Sequence, residues 1–131
     1  MVSDPIGDYI IRLKNAGRAG HETVSVPYSK LRLAISEKLQ ASGYLTAIEV
    51  LGEGVKKTLS VKLAYTDSGE PAINGVRRVS RPGRRVYRKA HEIFPVKFGR
   101  GAVILSTPAG ILTGEEARSK HVGGEQLFII W

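Results

Sequence analysis

A polar stretch near the middle of the chain, at residues 66–71, places the strongest constraint on the fold. It reads Thr-Asp-Ser-Gly-Glu-Pro, and its glycine and proline interrupt both helices and strands. The hydrophobic pattern before this stretch predicts the order helix, strand, helix, strand, strand. The pattern after it predicts mostly antiparallel β-structure with one short helix. We therefore predict an α+β fold with two small α/β domains, residues 1–66 and residues 67–131.

In the first domain, two helices are predicted from their capping residues. The pair Asp4-Pro5 marks the start of one helix, because aspartate caps free amide groups and proline suits the first helical position. Ser29 caps the second helix, which Gly43 closes. Three strands accompany these helices, and the last two form a hairpin. They cover residues 23–26, 44–51 and 58–65.

The second domain is predicted to consist mainly of strands. The first two flank a turn at residues 81–83 as a hairpin, and a loop at residues 107–110 follows a buried strand. A capping-box spacing from Thr113 predicts a short helix over residues 114–120. A turn at residues 122–125 precedes the last strand. The strands cover residues 72–79, 84–88, 102–106 and 126–131.

Basic residues clearly outnumber acidic ones. Twenty lysines and arginines against twelve acidic residues give a net charge of +8, which is typical of proteins that bind a polyanion. Seven basic residues lie between Arg77 and Lys89, and six of them are arginines, which pair with phosphates and stack on bases. Tyr87 adds a stacking surface. This segment is a candidate nucleic-acid contact, and the alternative is a solvated hairpin edge whose charges prevent sheet aggregation.

A second candidate contact is the loop at residues 106–110, which reads Ser-Thr-Pro-Ala-Gly. Small hydroxyls at the end of a strand, with a glycine that permits close approach, suit contacts to bases and ribose 2′-hydroxyls. An ordinary tight turn explains the same residues equally well. The residues alone leave both interpretations open.

Other classes of function find little support. The chain has no cysteine, which excludes disulfides, thiolate metal sites and iron–sulfur clusters. Its three histidines lack metal-ligand spacing, and no nucleophile motif, phosphate-binding loop or dinucleotide fingerprint is present. We therefore expect no catalytic residue, no metal, no cofactor and no enzymatic activity. Without a long apolar run or a secretory signal, we expect a cytoplasmic protein with no membrane partner.

Three parts of the chain resemble one known family, the bacterial-type eighth small-subunit ribosomal protein. The longest part is residues 101–125, which runs from Gly-Ala-Val-Ile-Leu-Ser-Thr through Glu-Glu-Ala-Arg to Val-Gly-Gly-Glu, followed by the final Trp131. The start, Ser-Asp-Pro-Ile-Gly-Asp at residues 3–8, and the middle, Val-Pro-Tyr-Ser-Lys-Leu at residues 26–31, resemble the same family. The resemblance covers about residues 3–131.

This resemblance implies a structural constituent of the small ribosomal subunit. Such a protein binds the central domain of small-subunit rRNA directly and supports its assembly in the cytoplasm. Its implied protein neighbours are the fifth and twelfth small-subunit proteins, and some members also bind the mRNA of their own operon. The alternative is a basic nucleic-acid-binding or regulatory module that works outside the ribosome.

The resemblance also implies which residues contact RNA, with the main site in residues 67–131 and a secondary one in residues 1–66. The base and ribose contacts are Ser106, Thr107 and Gly110. The flanking stacking and phosphate contacts are Tyr87, Arg84, Arg85, Arg88 and Lys89. The neighbouring turn comprises Gly123, Gly124 and Glu125, the last of which orders the binding loop or contacts RNA. The residues near a second rRNA segment are Asp4, Pro5, Arg12 and Lys30.

Pro108, Ala109 and Gly7 depart from the family pattern. The loop commonly reads Ser-Thr-Ser-Lys-Gly, whereas Pro108 and Ala109 stand at its third and fourth positions here. Proline has a fixed φ and no amide hydrogen, so one hydroxyl contact and one phosphate contact are in question. Gly7 stands where alanine is usual, which predicts a first helix looser by up to about 1 kcal/mol.

Overall fold

The computed structural model describes residues 4–95 and 101–131. Within these residues the chain is mixed α/β with antiparallel sheets, which confirms the predicted fold class. The helices are α1 (Pro5–Arg18), α2 (Lys30–Ala41) and α3 (Gly114–Ser119). The strands are β1 (Thr23–Pro27), β2 (Leu45–Leu51), β3 (Thr58–Leu63), β4 (Val76–Arg78), β5 (Tyr87–Arg88), β6 (Ala102–Thr107), β7 (Gly110–Thr113) and β8 (Gly124–Ile130).

The predicted capping residues begin all three helices. A carboxylate oxygen of Asp4 accepts a hydrogen bond from the Gly7 amide at 3.2 Å. The Ser29 hydroxyl accepts one from the Arg32 amide at 3.0 Å, and Thr113 forms the predicted capping box. Each cap pairs an amide group that has no partner inside the helix, which is why these residue types mark helix starts in the sequence.

The chain forms two compact units. The N-terminal unit comprises Asp8–Asn74, and the C-terminal unit comprises the chain up to Gly7 together with Gly75–Trp131. The boundary that the sequence predicts, between residues 66 and 67, lies about eight residues before this division. In the N-terminal unit, β3 lies between β1 and β2 in a three-stranded antiparallel sheet, and the predicted β2–β3 hairpin is confirmed.

The C-terminal unit is built around β8. The sheet order is β4-β8-β6-β7, and β5 also pairs with β8. One cluster of buried apolar side chains combines the sheet with α3 and with Ile93, the residue that follows the short 3-10 turn Ala90–Glu92. Its members are Ile93, Val103, Leu105, Leu112 and Ala117. This cluster gives the strands a firm support, so the ends of the strands can present side chains in fixed positions.

The predicted hairpin around residues 81–83 is wrong. β4 and β5 do not pair with each other, because both pair with β8 at different places along its length. The amides of Val79 and Ser80 bond to β8 carbonyls, and the Gln126 amide donates to the Val86 carbonyl at 2.9 Å. Residues 81–85, which we name the arginine loop, therefore leave the sheet edge and return to it. The local turn exists, since Arg81 and Arg84 form a bridge, but β8 is the real partner.

Two further predictions about the second half are wrong in detail. Residues 110–113 form strand β7, so the predicted loop is a hairpin turn whose two central residues are Pro108 and Ala109. β8 begins at Gly124, inside the predicted turn at residues 122–125. In both places short glycine-containing segments resemble turns in sequence, whereas pairing with β6 extends them into strands.

Candidate nucleic-acid interface

Three of the predicted contact residues lie in one row across the C-terminal sheet. Tyr87 of β5 is opposite Glu125 of β8, and Glu125 is opposite Ser106 of β6. Directly opposed residues in antiparallel strands project to the same side of a sheet. Tyr87, Glu125 and Ser106 therefore share one face at the end of the sheet, and we name them the Tyr87 row.

Tyr87 and Ser106 offer groups that a ligand can contact. Tyr87 is 65% exposed, so its ring is open to a stacking partner. Ser106 is partly buried, and its hydroxyl has no hydrogen-bond partner among residues 4–95 and 101–131. A hydroxyl can donate one hydrogen bond and accept two, which suits a ribose 2′-hydroxyl.

Glu125 is engaged inside the protein. Its carboxylate accepts a hydrogen bond from the hydroxyl of Ser80, which is completely buried. The same oxygen pairs with the Arg85 guanidinium at 3.1 Å. The Ser80 hydroxyl in turn accepts a hydrogen bond from the Val86 amide at 3.1 Å. These contacts tie both ends of the arginine loop to β8, so Glu125 orders the loop.

The basic side chains around this carboxylate divide into two groups. Arg85 is neutralised by Glu125, whereas Arg84, Arg88 and Lys89 are exposed and form no ion pair within the described part of the chain. The surface at Tyr87 therefore keeps a net positive charge despite the acidic residue at its centre. Exposed guanidinium and ammonium groups of this kind attract phosphates with little desolvation cost.

The Thr107 hydroxyl, unlike that of Ser106, is hydrogen-bonded within its own turn. It donates to the Gly110 carbonyl at 2.7 Å and accepts from the Ala109 amide at 3.1 Å. These two bonds close the hairpin turn between β6 and β7, and Gly110 has a φ of +106° that favours glycine. Thr107 and Gly110 therefore shape the turn, and only one acceptor position of the Thr107 hydroxyl remains open to a ligand.

Gly123 and Gly124 allow close backbone approach. A Cβ atom at Gly123 would lie 2.5 Å from the Arg88 carbonyl oxygen, and one at Gly124 would lie 2.2 Å from the Ser106 carbonyl oxygen. No side chain fits at either distance. Because neither glycine has a side chain, the start of β8 can lie close to β5 and β6. This close approach shapes the surface around Tyr87 and Ser106.

Asp4 is paired within the C-terminal unit. The Arg78 guanidinium donates to both oxygens of its carboxylate, with Nε–Oδ2 and Nη2–Oδ1 distances of 3.1 Å. Burial raises the pKa of the Asp4 carboxyl, but the hydrogen bonds from Arg78 and Gly7 outweigh this effect and hold the pKa below its ordinary value of 3.8. A Cβ atom at Gly7 would lie 2.3 Å from an Asp4 oxygen, so the glycine leaves room for this carboxylate.

The remaining predicted contacts are on the surface. Pro5 is exposed at the start of α1. In the N-terminal unit, Lys30 is exposed at the start of α2, and Arg12 is exposed with a long hydrogen bond of 3.5 Å to the Ser25 carbonyl. The positions of these side chains leave them available to a ligand.

Sequence reasoning missed Ser80. It is a short polar residue in an arginine-rich segment, and nothing in its neighbourhood along the chain indicates that it is buried. Its partners are Val86 and Glu125, and the second lies 45 residues away. Only the pairing of both flanking segments with β8 brings these groups together.

Across residues 4–95 and 101–131, no group of three histidine or acidic side chains is placed to hold a metal ion. In that part of the chain, no helix is long and apolar enough to cross a membrane.

Comparison with known proteins gives a consistent result. The sequence profile of the family described as ribosomal protein S8 matches residues 4–131. The small ribosomal subunit protein uS8 of Rubrobacter xylanophilus is 48% identical over 130 residues, which cover 99% of this chain and 98% of that protein. The protein of the same name from Solibacter usitatus is 45% identical over the full length of both chains. That of Streptococcus sanguinis is 40% identical over 131 residues, covering 100% of this chain and 99% of the relative.

Proposed function

The chain belongs to the ribosomal protein S8 family, and from this premise we propose that it binds small-subunit rRNA through the Tyr87 end of its C-terminal sheet. It is a structural constituent of the small ribosomal subunit and not an enzyme, which places it on the ribosome. The proposed RNA partner is the central domain of the small-subunit rRNA, whose assembly the protein supports.

The observation that carries the proposal is the Tyr87 row with its surrounding cations. It combines an exposed aromatic ring with a hydroxyl that has no hydrogen-bond partner among the described residues, both on one face of the sheet. The exposed Arg84, Arg88 and Lys89 provide attraction to phosphates that does not depend on sequence. Helical RNA has a wide, shallow minor groove with 2′-hydroxyls, and the fixed shape of the row suits recognition of such a surface.

Each residue of the site then has a role in the proposal. Ser106 contacts ribose or base, and Tyr87 stacks on a base or ribose. Arg84, Arg88 and Lys89 contact phosphates, while Arg85 and Glu125 order the arginine loop. The four residues that shape the surface are Thr107, Gly110, Gly123 and Gly124.

The secondary contacts belong to the same proposal. Arg12 and Lys30 are exposed cations of the N-terminal unit that suit a second rRNA segment, and Pro5 is exposed. Asp4 remains a proposed residue near this second segment, and its carboxylate is held in place by Arg78. Contacts with the fifth and twelfth small-subunit proteins, and with an operon mRNA that imitates the rRNA site, follow from the family resemblance.

A salt titration tests the proposal. The affinity of the full chain for a central-domain rRNA helix is measured beside a scrambled duplex of equal length. We expect the helix to bind more tightly and to retain its advantage at physiological salt. Equal affinities that decrease together with salt would contradict the proposal and favour a general polyanion-binding module.

A double variant locates the phosphate contacts. Arg84→Gln with Arg88→Gln removes two exposed cations, so the slope of log affinity against log salt should fall by about two units. Arg18→Gln with Lys56→Gln removes two exposed cations of the N-terminal unit and serves as the matched control. An equal change of slope in the control would exclude the Tyr87 end as the main contact.

A further inference from the structure

An open cleft lies next to the proposed RNA surface in the C-terminal unit. Its volume is about 570 Å³, within the range of sites that bind small molecules. One wall comes from the residues of the 3-10 turn and the segment after it, and the other comes from the end of α3. The lining residues are Ala90, His91, Ile93, Phe94, Arg118 and His121.

The apolar part of the cleft combines a buried floor with an exposed ring. Ile93 is 3% exposed and belongs to the buried cluster beneath α3. Phe94 is 72% exposed, so most of its ring faces solvent. A large exposed aromatic side chain beside a concave surface offers a π-face for a planar ligand.

The polar part of the cleft attracts anions. Among the residues that the structure describes, Arg118 and two imidazoles line it, and no carboxylate does. Among the described residues the Arg118 guanidinium has no ion-pair partner. The carbonyls at the end of α3 are already paired, since Arg118 O accepts from the His121 amide at 3.1 Å and Ala117 O accepts from the Val122 amide at 2.9 Å. The C-terminal end of α3, which carries the partial negative charge of the helix dipole, therefore repels an anion only weakly.

The nearest acidic residue along this wall is also engaged. The Glu92 carboxylate accepts a hydrogen bond from the Lys89 amide at 2.8 Å. This bond holds the Glu92 carboxylate against its own turn. The described residues that line the cleft include the guanidinium of Arg118 and the ring of Phe94, and Glu92 is not one of them.

The cleft lies close along the chain to the proposed phosphate contacts. Lys89, one of the proposed phosphate contacts, is two residues before His91, and two residues span at most about 7 Å. An RNA strand bound at Arg88 and Lys89 would therefore have only a short distance to cross to the cleft.

We propose that this cleft binds one unpaired nucleotide of the RNA, with the base stacked on Phe94 and the phosphodiester at Arg118. The imidazoles of His91 and His121 supply additional hydrogen-bonding groups at the rim. An aromatic face together with a guanidinium is the combination that single-stranded RNA sites use. The inference rests on the proposed function, since it assumes that the C-terminal unit binds RNA.

The probe is fluorescein-labelled hexauridylate, which is single-stranded, and its binding to the full chain is followed by anisotropy. Phe94→Leu keeps an apolar side chain without a π-face and should weaken binding at least about fivefold. Phe94→Tyr keeps the ring and should retain the affinity. Arg118→Gln should also weaken binding, whereas Lys120→Gln removes an exposed charge two residues away and should have a smaller effect.

A fully paired central-domain helix separates this inference from the proposed function. Phe94→Leu should leave the affinity for that helix unchanged, while Arg84→Gln with Arg88→Gln should reduce it. Unchanged hexauridylate affinity in Phe94→Leu would overturn the cleft proposal and leave the proposed function intact. Equal losses on both RNAs would also overturn it, because they would indicate one shared surface. If the wild-type chain does not prefer the central-domain helix to the scrambled duplex, the proposed function is contradicted. The hexauridylate measurements would then still decide whether the cleft binds a nucleotide.

Discussion

Glu125 places a carboxylate in the middle of a basic surface. Simple electrostatics predicts that such a charge weakens RNA binding, and removing it would then increase affinity. The contacts of Glu125 with Ser80 and Arg85 indicate the opposite, because they hold the arginine loop against β8. We therefore expect Glu125 to support RNA binding by ordering the arginine loop. The positive charge of Arg85 offsets the negative charge of the Glu125 carboxylate.

The variant Glu125→Gln distinguishes these two effects. We expect lower affinity for the central-domain helix, although the net charge of the protein becomes more positive. Glu37→Gln, an exposed position on α2, makes the same change in charge and is the control. Anisotropy titrations at one salt concentration compare them. A rise in affinity in both variants would show that charge outweighs loop order.

A substitution at Gly124 tests whether the close approach of β8 to β6 contributes to the stability of the protein. The variant Gly124→Ala puts a Cβ atom 2.2 Å from the Ser106 carbonyl oxygen, so the strands must separate. Overpacking of this kind costs about 1–3 kcal/mol of unfolding free energy. Gly83→Ala has no atom within 4 Å of the new Cβ and should have little effect. Urea unfolding curves provide the comparison, and similar stabilities for the two variants would contradict the steric argument.

At the scale of elements, local signals predict helices better than sheet partners. The starts of α1, α2 and α3 follow from capping residues whose bonds span only a few positions. The partner of both β4 and β5 is β8, which lies about fifty residues from β4 and about forty from β5, and the local turn between them suggests a false hairpin. The same limit applies to the site. The exposed arginines and Tyr87 are visible in the sequence, whereas the burial of Ser80 is not.

The start of α1 carries a pH-dependent contact. Because the pKa of Asp4 is lowered in the folded state, its pairing with Arg78 stabilises the protein above the ordinary pKa of 3.8 and is lost as pH falls through the lowered value. Asp4→Asn should therefore cost about 1–2 kcal/mol near neutral pH. The difference from wild type should shrink in acid.

Urea unfolding near neutral pH and in acid measures this difference. Asp67→Asn, in the exposed stretch at residues 66–71, is the matched control and should be close to wild type throughout. A gap between wild type and Asp4→Asn that stays constant with pH would exclude an ionic contribution from this pair.

At the scale of the whole molecule, charge is unevenly divided. The C-terminal unit holds eleven basic and five acidic residues, whereas the N-terminal unit holds nine and seven. The unit with the Tyr87 row therefore carries most of the net charge, although the two units are similar in size. This distribution agrees with one dominant electrostatic contact and one weaker contact.

The extent to which variants associate with the ribosome tests whether the more basic C-terminal unit makes the dominant contact. The tagged full chain, produced in bacterial cells, should sediment with small subunits on a sucrose gradient. The variant with Arg84→Gln and Arg88→Gln should shift toward the free fraction, because it loses two phosphate contacts. Arg18→Gln with Lys56→Gln should shift less. Equal shifts would indicate that net charge, and not the Tyr87 end, governs incorporation.

The position of β8 in the chain has a consequence for protein synthesis. Strands β4, β5 and β6 all pair with β8, and all three are made before it. During translation the N-terminal unit can fold first, while the later strands have unpaired edges until the ribosome has added β8. A nascent chain stopped before Glu125 would contain the arginines but neither the ordered loop nor the Tyr87 row. If the Tyr87 row is the RNA site we propose, selective recognition of RNA requires that translation has passed this strand.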